Sequence, residues 1–477
     1  MANVDSAAAP PTAARSISEL PRPRGLPFFG NALEVSPKQL HLVVERWAKR
    51  YGTAYTFRLF HRRIVVLSDP AVMHAALRER PTIFRRMATI DDVLKGLGVD
   101  GVFSAEGEAW RLQRRTVAPA LDARHVRSFF PALRDIAVRL QRRWDRAAAS
   151  GIPLDVLSDL ARFTVDATTS FAFGYDVNSL ERDEDVLQGH LARVFPMINR
   201  RLSLPFPYWR YVKLPIDRTF DRSIAHVRMR VEAMIDAARD RRVSQDRDDR
   251  QRPKNFIEAV LSEPPDGNAA LSTAELYGNA MTILAAGEDT TASTLAWTLH
   301  LVAQHPAVQS RLLAEAQAVL GADTVLSSVD DARALVYHEA VISESLRLKP
   351  VVPLFFLQAN VTTVLDGIHI PAGTPIFLAT RAHDLANTAR DTDFAPERWL
   401  DEGDTGRRFG DFAFGAGPRL CPGRNLAILE MKVALSMIVK NFALEPLGVG
   451  DGVCEEFSFV MAPRNLRLRL ERRNDAV

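Results

Sequence analysis

The chain has 477 residues, 47% hydrophobic and 25% charged, which supplies a large core and excludes a disordered or fibrous chain. A net charge of +3 is too small to argue for nucleic acid. Its two cysteines, Cys421 and Cys454, exclude a disulfide framework and fit a reducing compartment such as the cytoplasm.

Met1–Ser16 is rich in Ala, Pro and Ser and lacks the apolar core of a signal peptide or membrane anchor. Residues 1–20 are expected to form a disordered tail and 21–477 one domain, since no Gly/Ser linker or internal repeat divides them. Pro21–Gly30 cannot be helical, His41–Arg50 has helical spacing, and Thr53–Leu67 alternates like strands. Helical patterning runs from about Glu108 to Arg242, broken at Ser150–Pro153 and at the aromatic, proline-rich Leu204–Pro215. Within the latter, Phe206–Tyr211 reads as ordinary packing, an entrance flap or a membrane-leaning segment. Asp240–Pro253 reads as a charged loop, and long helices are expected over Thr273–His305 and Tyr337–Leu348. Val361–Thr380, with turn signals at Asp366-Gly367 and Pro371-Ala372-Gly373, and Glu455–Leu470 read as strands. The most apolar stretch, Met281–Val302, carries Glu288 and Asp289, so it is a core helix with no transmembrane role. The fold class is mainly α with small β-sheets.

Four constellations carry chemistry. The first is Phe414-Gly415-Ala416-Gly417-Pro418-Arg419-Leu420-Cys421-Pro422-Gly423. Pro422 suits the first position of a helix, which would place Cys421 where backbone N–H groups and the dipole favour a thiolate. Its three glycines let a backbone pass close to something flat. The alternative is a buried free cysteine; zinc is disfavoured because no second Cys or His lies at ligand spacing. The second is Ala286-Gly287-Glu288-Asp289-Thr290-Thr291, a run of weak helix formers inside a long helical pattern. Its bland reading is threonines bonding back to their own helix. The third pairs Glu344 with Arg347 at i and i+3, either a surface pair or a brace. The fourth sets Trp110 and Arg114 at i and i+4, so that they project together.

The cysteine run resembles the haem-ligand signature of the cytochrome P-450 family, haem-thiolate monooxygenases. That resemblance implies haem b held by Cys421 as axial ligand, with Phe414 over the sulfur and Trp110, Arg114 and Arg419 on the haem propionates. Ala286, Gly287, Asp289 and Thr290 match the family's distal-helix motif. There Gly287 would make room for dioxygen, Thr290 would hydrogen-bond it, and Asp289 would feed protons. Glu344 and Arg347 match the family's E-x-x-R, completed by Arg398 as a buried cluster bracing the cysteine loop. One departure stands out: many relatives place a propionate arginine where this chain has Leu357 and Gln358.

By the same resemblance, Ile90, Val93, Leu97 and Val102 in the loop before Trp110, Leu284 and Ala285, and Val351, Val352, Leu354 and Phe355 would line an apolar pocket. Each is also a plain core candidate. The substrate would be a lipophilic small molecule of fatty acid, terpenoid, steroid or polyketide type. Only 56 residues follow Cys421 and no dinucleotide fingerprint occurs, so electrons are expected from a separate ferredoxin or flavodoxin with its NAD(P)H reductase. The basic row Arg111, Arg114, Arg115, Arg124, Arg127, Arg134, Arg139, Arg142 and Arg143 reads either as a solvated helical face or as a docking surface for such an acidic carrier. The expected protein is soluble, bacterial, cytoplasmic and monomeric. Two other readings compete: a peroxide-driven oxygenase or lyase/isomerase on the same fold, and a non-catalytic haem sensor or carrier. The presence of Asp289 and Thr290 counts against both.

Overall fold

In the computed structural model of the chain, the described residues are 14–182, 186–191, 193–204, 206–244, 253–262, 271–383, 393–400, 412–447 and 452–473. Residues 1–13 of the expected tail and 245–252 of the expected charged loop lie outside them. From residue 14 the tail expectation is corrected. Strand β1 (Arg15–Ser16) pairs with Ile368 and His369, and Leu20 is buried in an apolar cluster.

Local chemistry sets the helix ends. The first helices are α1 (Leu40–Tyr51), α2 (Pro70–Arg78), α3 (Ala88–Gly96), α4 (Gly107–Val117), α5 (Ala123–Ser150) and α6 (Val156–Phe173). Asp69 caps α2 by accepting from Ala71 and Val72 N–H, with Pro70 at the first helical position. Asp122 caps α5 in the same way, and α5 and α6 end on the left-handed glycines Gly151 and Gly174. The 108–242 helical region is also broken between α4 and α5 and at Gly174, which the patterning did not show. The next helices are α7 (Val186–Leu191), α8 (Val194–Leu202), α9 (Pro215–Ser244) and α10 (Phe256–Val260). They are followed by α11 (Thr273–Gln304), α12 (Pro306–Leu320), α13 (Asp331–Ala334), α14 (Val336–Leu348) and α15 (Arg424–Asn441). A reciprocal Ser272/Glu275 capping box starts α11.

Helix α11 is buried over most of its circumference, as only a helix in the middle of a large core can be. It packs along α6 and touches α12, α14 and α15. Asn279 ties it to the segment ahead of α4: its Oδ1 accepts from Val102 N–H at 2.8 Å, and its Nδ2 donates to Gln113 Oε1 at 3.1 Å. No helix among the described residues is long and apolar enough to cross a membrane.

The small sheets lie to one side. Strands β2 (Ala54–Leu59), β3 (Arg62–Leu67), β4 (Phe84–Arg86), β6 (Leu354–Ala359) and β9 (Pro375–Ala379) form a five-stranded sheet in the order β2-β3-β9-β6-β4. Its β4–β6 edge is antiparallel and sets Arg86 opposite Leu357 and Arg85 opposite Gln358. Strands β7 (Thr363–Leu365) and β8 (Ile368–Ile370) join β1. Strand β5 (Leu154–Asp155) joins β10 (Phe442–Pro446) and β13 (Arg467–Arg472), and β11 (Cys454–Ser458) pairs with β12 (Val460–Arg464).

Candidate active site

The cysteine loop is closed by its own backbone. Cys421 N–H donates to Phe414 C=O at 2.9 Å, and Leu420 N–H to Gly417 C=O at 3.0 Å. Gly417 has φ +67°, and a Cβ there would lie 2.6 Å from the Leu77 carbonyl, so only glycine lets the loop settle on the end of α2. Helix α15 begins at Arg424, not at Pro422, which sits in the preceding turn. The expected helix-end placement of the sulfur is thereby shifted: the N–H groups of Gly423 and Arg424 still point to it. Burial pushes the Cys421 thiol above its ordinary value. Those N–H groups and the guanidiniums of Arg114 and Arg424 oppose the shift without reversing it.

Helix α4 delivers Trp110 and Arg114 to the same place. Arg114 Nη2 donates to Leu420 C=O at 2.7 Å, one residue before the cysteine. Arg419 lies over the Trp110 ring at 4.6 Å and donates Nη2 to Ala105 C=O at 2.7 Å and Glu106 Oε2 at 2.6 Å. The structure thus brings Trp110, Arg114, Arg419 and Cys421 together. Phe414 is half-buried, with Arg424 over its ring at 5.6 Å. Glu106, which holds Arg419, gave no signal in the sequence.

On α11, Gly287 faces α6. A Cβ there would meet Thr168 Oγ1 at 2.9 Å, so this glycine permits close helix packing, which accounts for it without any distortion of the helix. Ala286 is exposed in the middle of an otherwise buried helix. Thr290 Oγ1 donates to Ala286 C=O at 2.6 Å, which is the bland reading of the motif. A hydroxyl that donates backwards still offers its lone pairs outwards. Burial raises the Asp289 carboxyl to about 6, a range in which it can give and take protons near neutrality.

Glu344 is fully buried and accepts from Arg347 Nε and Nη2 at 2.9 Å each. Arg398 Nε lies 3.0 Å from Glu344 Oε1. Two further donors escaped the sequence reading, Ala395 N–H at 3.0 Å and Trp399 Nε1 at 2.9 Å. The cluster joins α14 to the Ala395–Trp399 turn.

The candidate pocket residues divide. Ile90 and Val93 sit on helix α3 and not in a loop. With Leu97, Val102, Leu284, Val351 and Leu354 they are buried in apolar clusters and act as core. Ala285, Val352 and Phe355 are partly accessible. In the aromatic stretch Trp209 is packed under Arg201, while Phe206 and Tyr211 are exposed. The basic row is largely paired: Arg111 with Glu108, Arg124 with Asp122, Arg127 with Asp330, Arg139 with Asp176, Arg142 with Glu181 and Arg143 with Asp159. This favours a solvated, ion-paired face.

A mainly helical body with small sheets holds Cys421 on a glycine-bent loop among arginines. The chain belongs to the cytochrome P450 family, whose model matches residues 20–470, and it is an enzyme of the P450 monooxygenase type. It is 27% identical over 408 residues to the chloroplastic protein LUTEIN DEFICIENT 5 of Arabidopsis thaliana, covering 82% of this chain and 67% of the relative. It is 28% identical over 455 residues to the mitochondrial 25-hydroxyvitamin D-1 alpha hydroxylase of Mus musculus, covering 91% and 88%. It is also 28% identical over 437 residues to a bifunctional cytochrome P450/NADPH–P450 reductase of Gibberella moniliformis, covering 89% of this chain and 38% of the relative. Plant, mammalian and fungal relatives, two of them organellar by name, assign this chain neither a bacterial source nor a cytoplasmic location.

Proposed function

We propose that the chain is a haem-thiolate monooxygenase with Cys421 as axial ligand, oxidising a lipophilic small molecule with dioxygen and electrons from a separate ferredoxin or flavodoxin. One observation carries the reading: a backbone-closed loop presents a single sulfur beside Trp110, Arg114 and Arg419. The residues fit a flat group with an acidic edge. A Cβ on Gly423 would meet only Cys421 Sγ, at 3.9 Å, with an ordinary φ of −85°, so the protein itself has no need of the glycine. Arg419 keeps Nε and Nη1 buried without partners among the described residues, donors that carboxylates would satisfy.

Haem bound there would supply an iron that takes up dioxygen, with thiolate donation favouring O–O cleavage. The chain's residues do the rest. Asp289, near 6, holds and releases protons on α11. Thr290, its own proton donated to Ala286, accepts a hydrogen bond and orients the donor. Ala285, Val352 and Phe355 offer apolar contact for a substrate. A relative named for hydroxylating 25-hydroxyvitamin D supports C–H hydroxylation. Two unpaired cysteines support a reducing compartment.

The test is turnover of a lipophile panel under labelled dioxygen with NAD(P)H and added redox partners. One labelled oxygen atom should enter the product, and Thr290→Ala should divert electrons to hydrogen peroxide. Faster turnover with peroxide alone, or product without label, would replace the proposal with the peroxide-driven or lyase reading.

A further inference from the structure

Strand β6 supplies no cation at the position where many relatives carry a propionate arginine. Leu357 is buried in an apolar cluster, and Gln358 uses its Oε1 to accept the Ala88 N–H at the start of α3, at 3.1 Å. The neighbouring strand does supply one. β4 sets Arg86 directly opposite Leu357, and directly opposed residues of an antiparallel pair project from the same face.

Arg86 is held in place. Its guanidinium stacks on Phe103 at 3.6 Å, and Nε donates to Phe103 C=O at 3.2 Å. Arg80, just beyond α2, is 5% exposed, yet its Nε and Nη2 are buried without partners among the described residues. Arg419 contributes its own unpartnered Nε and Nη1. Among the described residues, the carboxylates near them are two. Glu106 takes Arg419 Nη2 and the Arg86 backbone N–H, and Asp91 is paired with Arg85.

The cluster therefore carries more buried cations than anions. Burial pulls Arg80 down to about 9, with Arg86 adding to it, and Arg86 to about 10. Arginine does not shed its proton in a protein, so the imbalance has to be answered by an anion from outside the chain. Planar guanidinium donors match carboxylates best.

We infer that Arg80 and Arg86 complete the propionate site of this chain, in place of the arginine β6 lacks, with Glu106 as a positioning residue for Arg419. The inference rests on Cys421 holding haem. It asks nothing further of the reaction, because its effect is on how firmly the cofactor stays.

The test is haem transfer from the purified holoprotein to excess apomyoglobin, with the reduced carbon monoxide spectrum recorded on the same samples. Arg86→Gln and Arg80→Gln should each speed haem loss about tenfold or more, the worth of a charge-assisted hydrogen bond. The long-wavelength Soret band of thiolate ligation should persist. Leu357→Arg should restore retention in the Arg86→Gln background. The parent protein, with no substitution at all, should lose haem dimethyl ester far faster than haem, and Arg86→Gln should lose the ester no faster than the parent does. Haem loss within about twofold of the parent in both single variants would overturn the inference. So would equal acceleration for haem and its ester, which would mark a merely structural role. A parent that never shows the Soret band would fail earlier and differently, by removing Cys421 as the ligand.

Discussion

Around Glu344, two guanidiniums, an indole N–H and a backbone N–H converge on one fully buried carboxylate. Around Arg419, Glu106 accepts from one guanidinium, that of Arg419, and N–H groups on Arg80 and Arg419 go unanswered among the described residues. Both clusters are buried and both are built from arginine. The first is complete within the chain and serves the fold. The second would be completed by an anion, as inferred above.

The largest effect should come from breaking the balanced cluster. Glu344→Gln would strand Arg347 and Arg398, at a cost of about 3–5 kcal/mol in chemical denaturation. A loss below about 1 kcal/mol would erase the contrast.

Carboxylates escape the same problem by keeping a proton, an exit closed to arginine. Asp289, raised to about 6 by burial, is protonated below that value and ionised above it. Product formed per NAD(P)H should therefore fall in the parent as pH rises from about 6 to 8. Asp289→Asn should lower product formation about a hundredfold and flatten that profile. An unchanged profile in the variant would remove Asp289 from proton delivery.

Glu430 is a quieter case on α15. It is 2% exposed, its Oε1 has no partner among the described residues, and burial raises it to about 8. Its folded value lies above its unfolded 4.5, so the stability it lends is fully present below 4.5 and is lost as pH rises towards 8. Glu430→Gln should gain on the parent by about 1.4 kcal/mol per pH unit across that window, to within a factor of two. Parallel stability–pH curves would contradict this.

The smallest effect is the most discriminating. In the haem-free protein, Arg80→Leu removes an unbalanced cation and should leave stability within about 1 kcal/mol of the parent, or raise it. A loss of about 3 kcal/mol in thermal unfolding would show that Arg80 belongs with the balanced kind.

What the sequence disclosed was whatever is local. Glu344 and Arg347 are one helical turn apart, Trp110 and Arg114 likewise, and the loop around Cys421 is continuous, so each could be read as a unit. Juxtapositions across the sheet and the core were hidden. Arg86 meets the place of the missing arginine only because β4 pairs with β6, more than 250 residues later in the chain. The approach of Thr168 on α6 to Gly287 was hidden in the same way. Apolar residues near the site were equally compatible with core and pocket, and burial placed Ile90, Val93, Leu97, Val102, Leu284, Val351 and Leu354 in the core. Pro422 favours a helix start, yet the tight turn after the cysteine delayed α15 to Arg424.

The central claim is that Cys421 is the axial ligand, and the reduced carbon monoxide spectrum tests it most directly. The parent should show the long-wavelength Soret band of a thiolate-ligated haem, and Cys421→Ser should lose it. The same band in the Cys421→Ser protein, or its absence from a haem-loaded parent, would contradict the account.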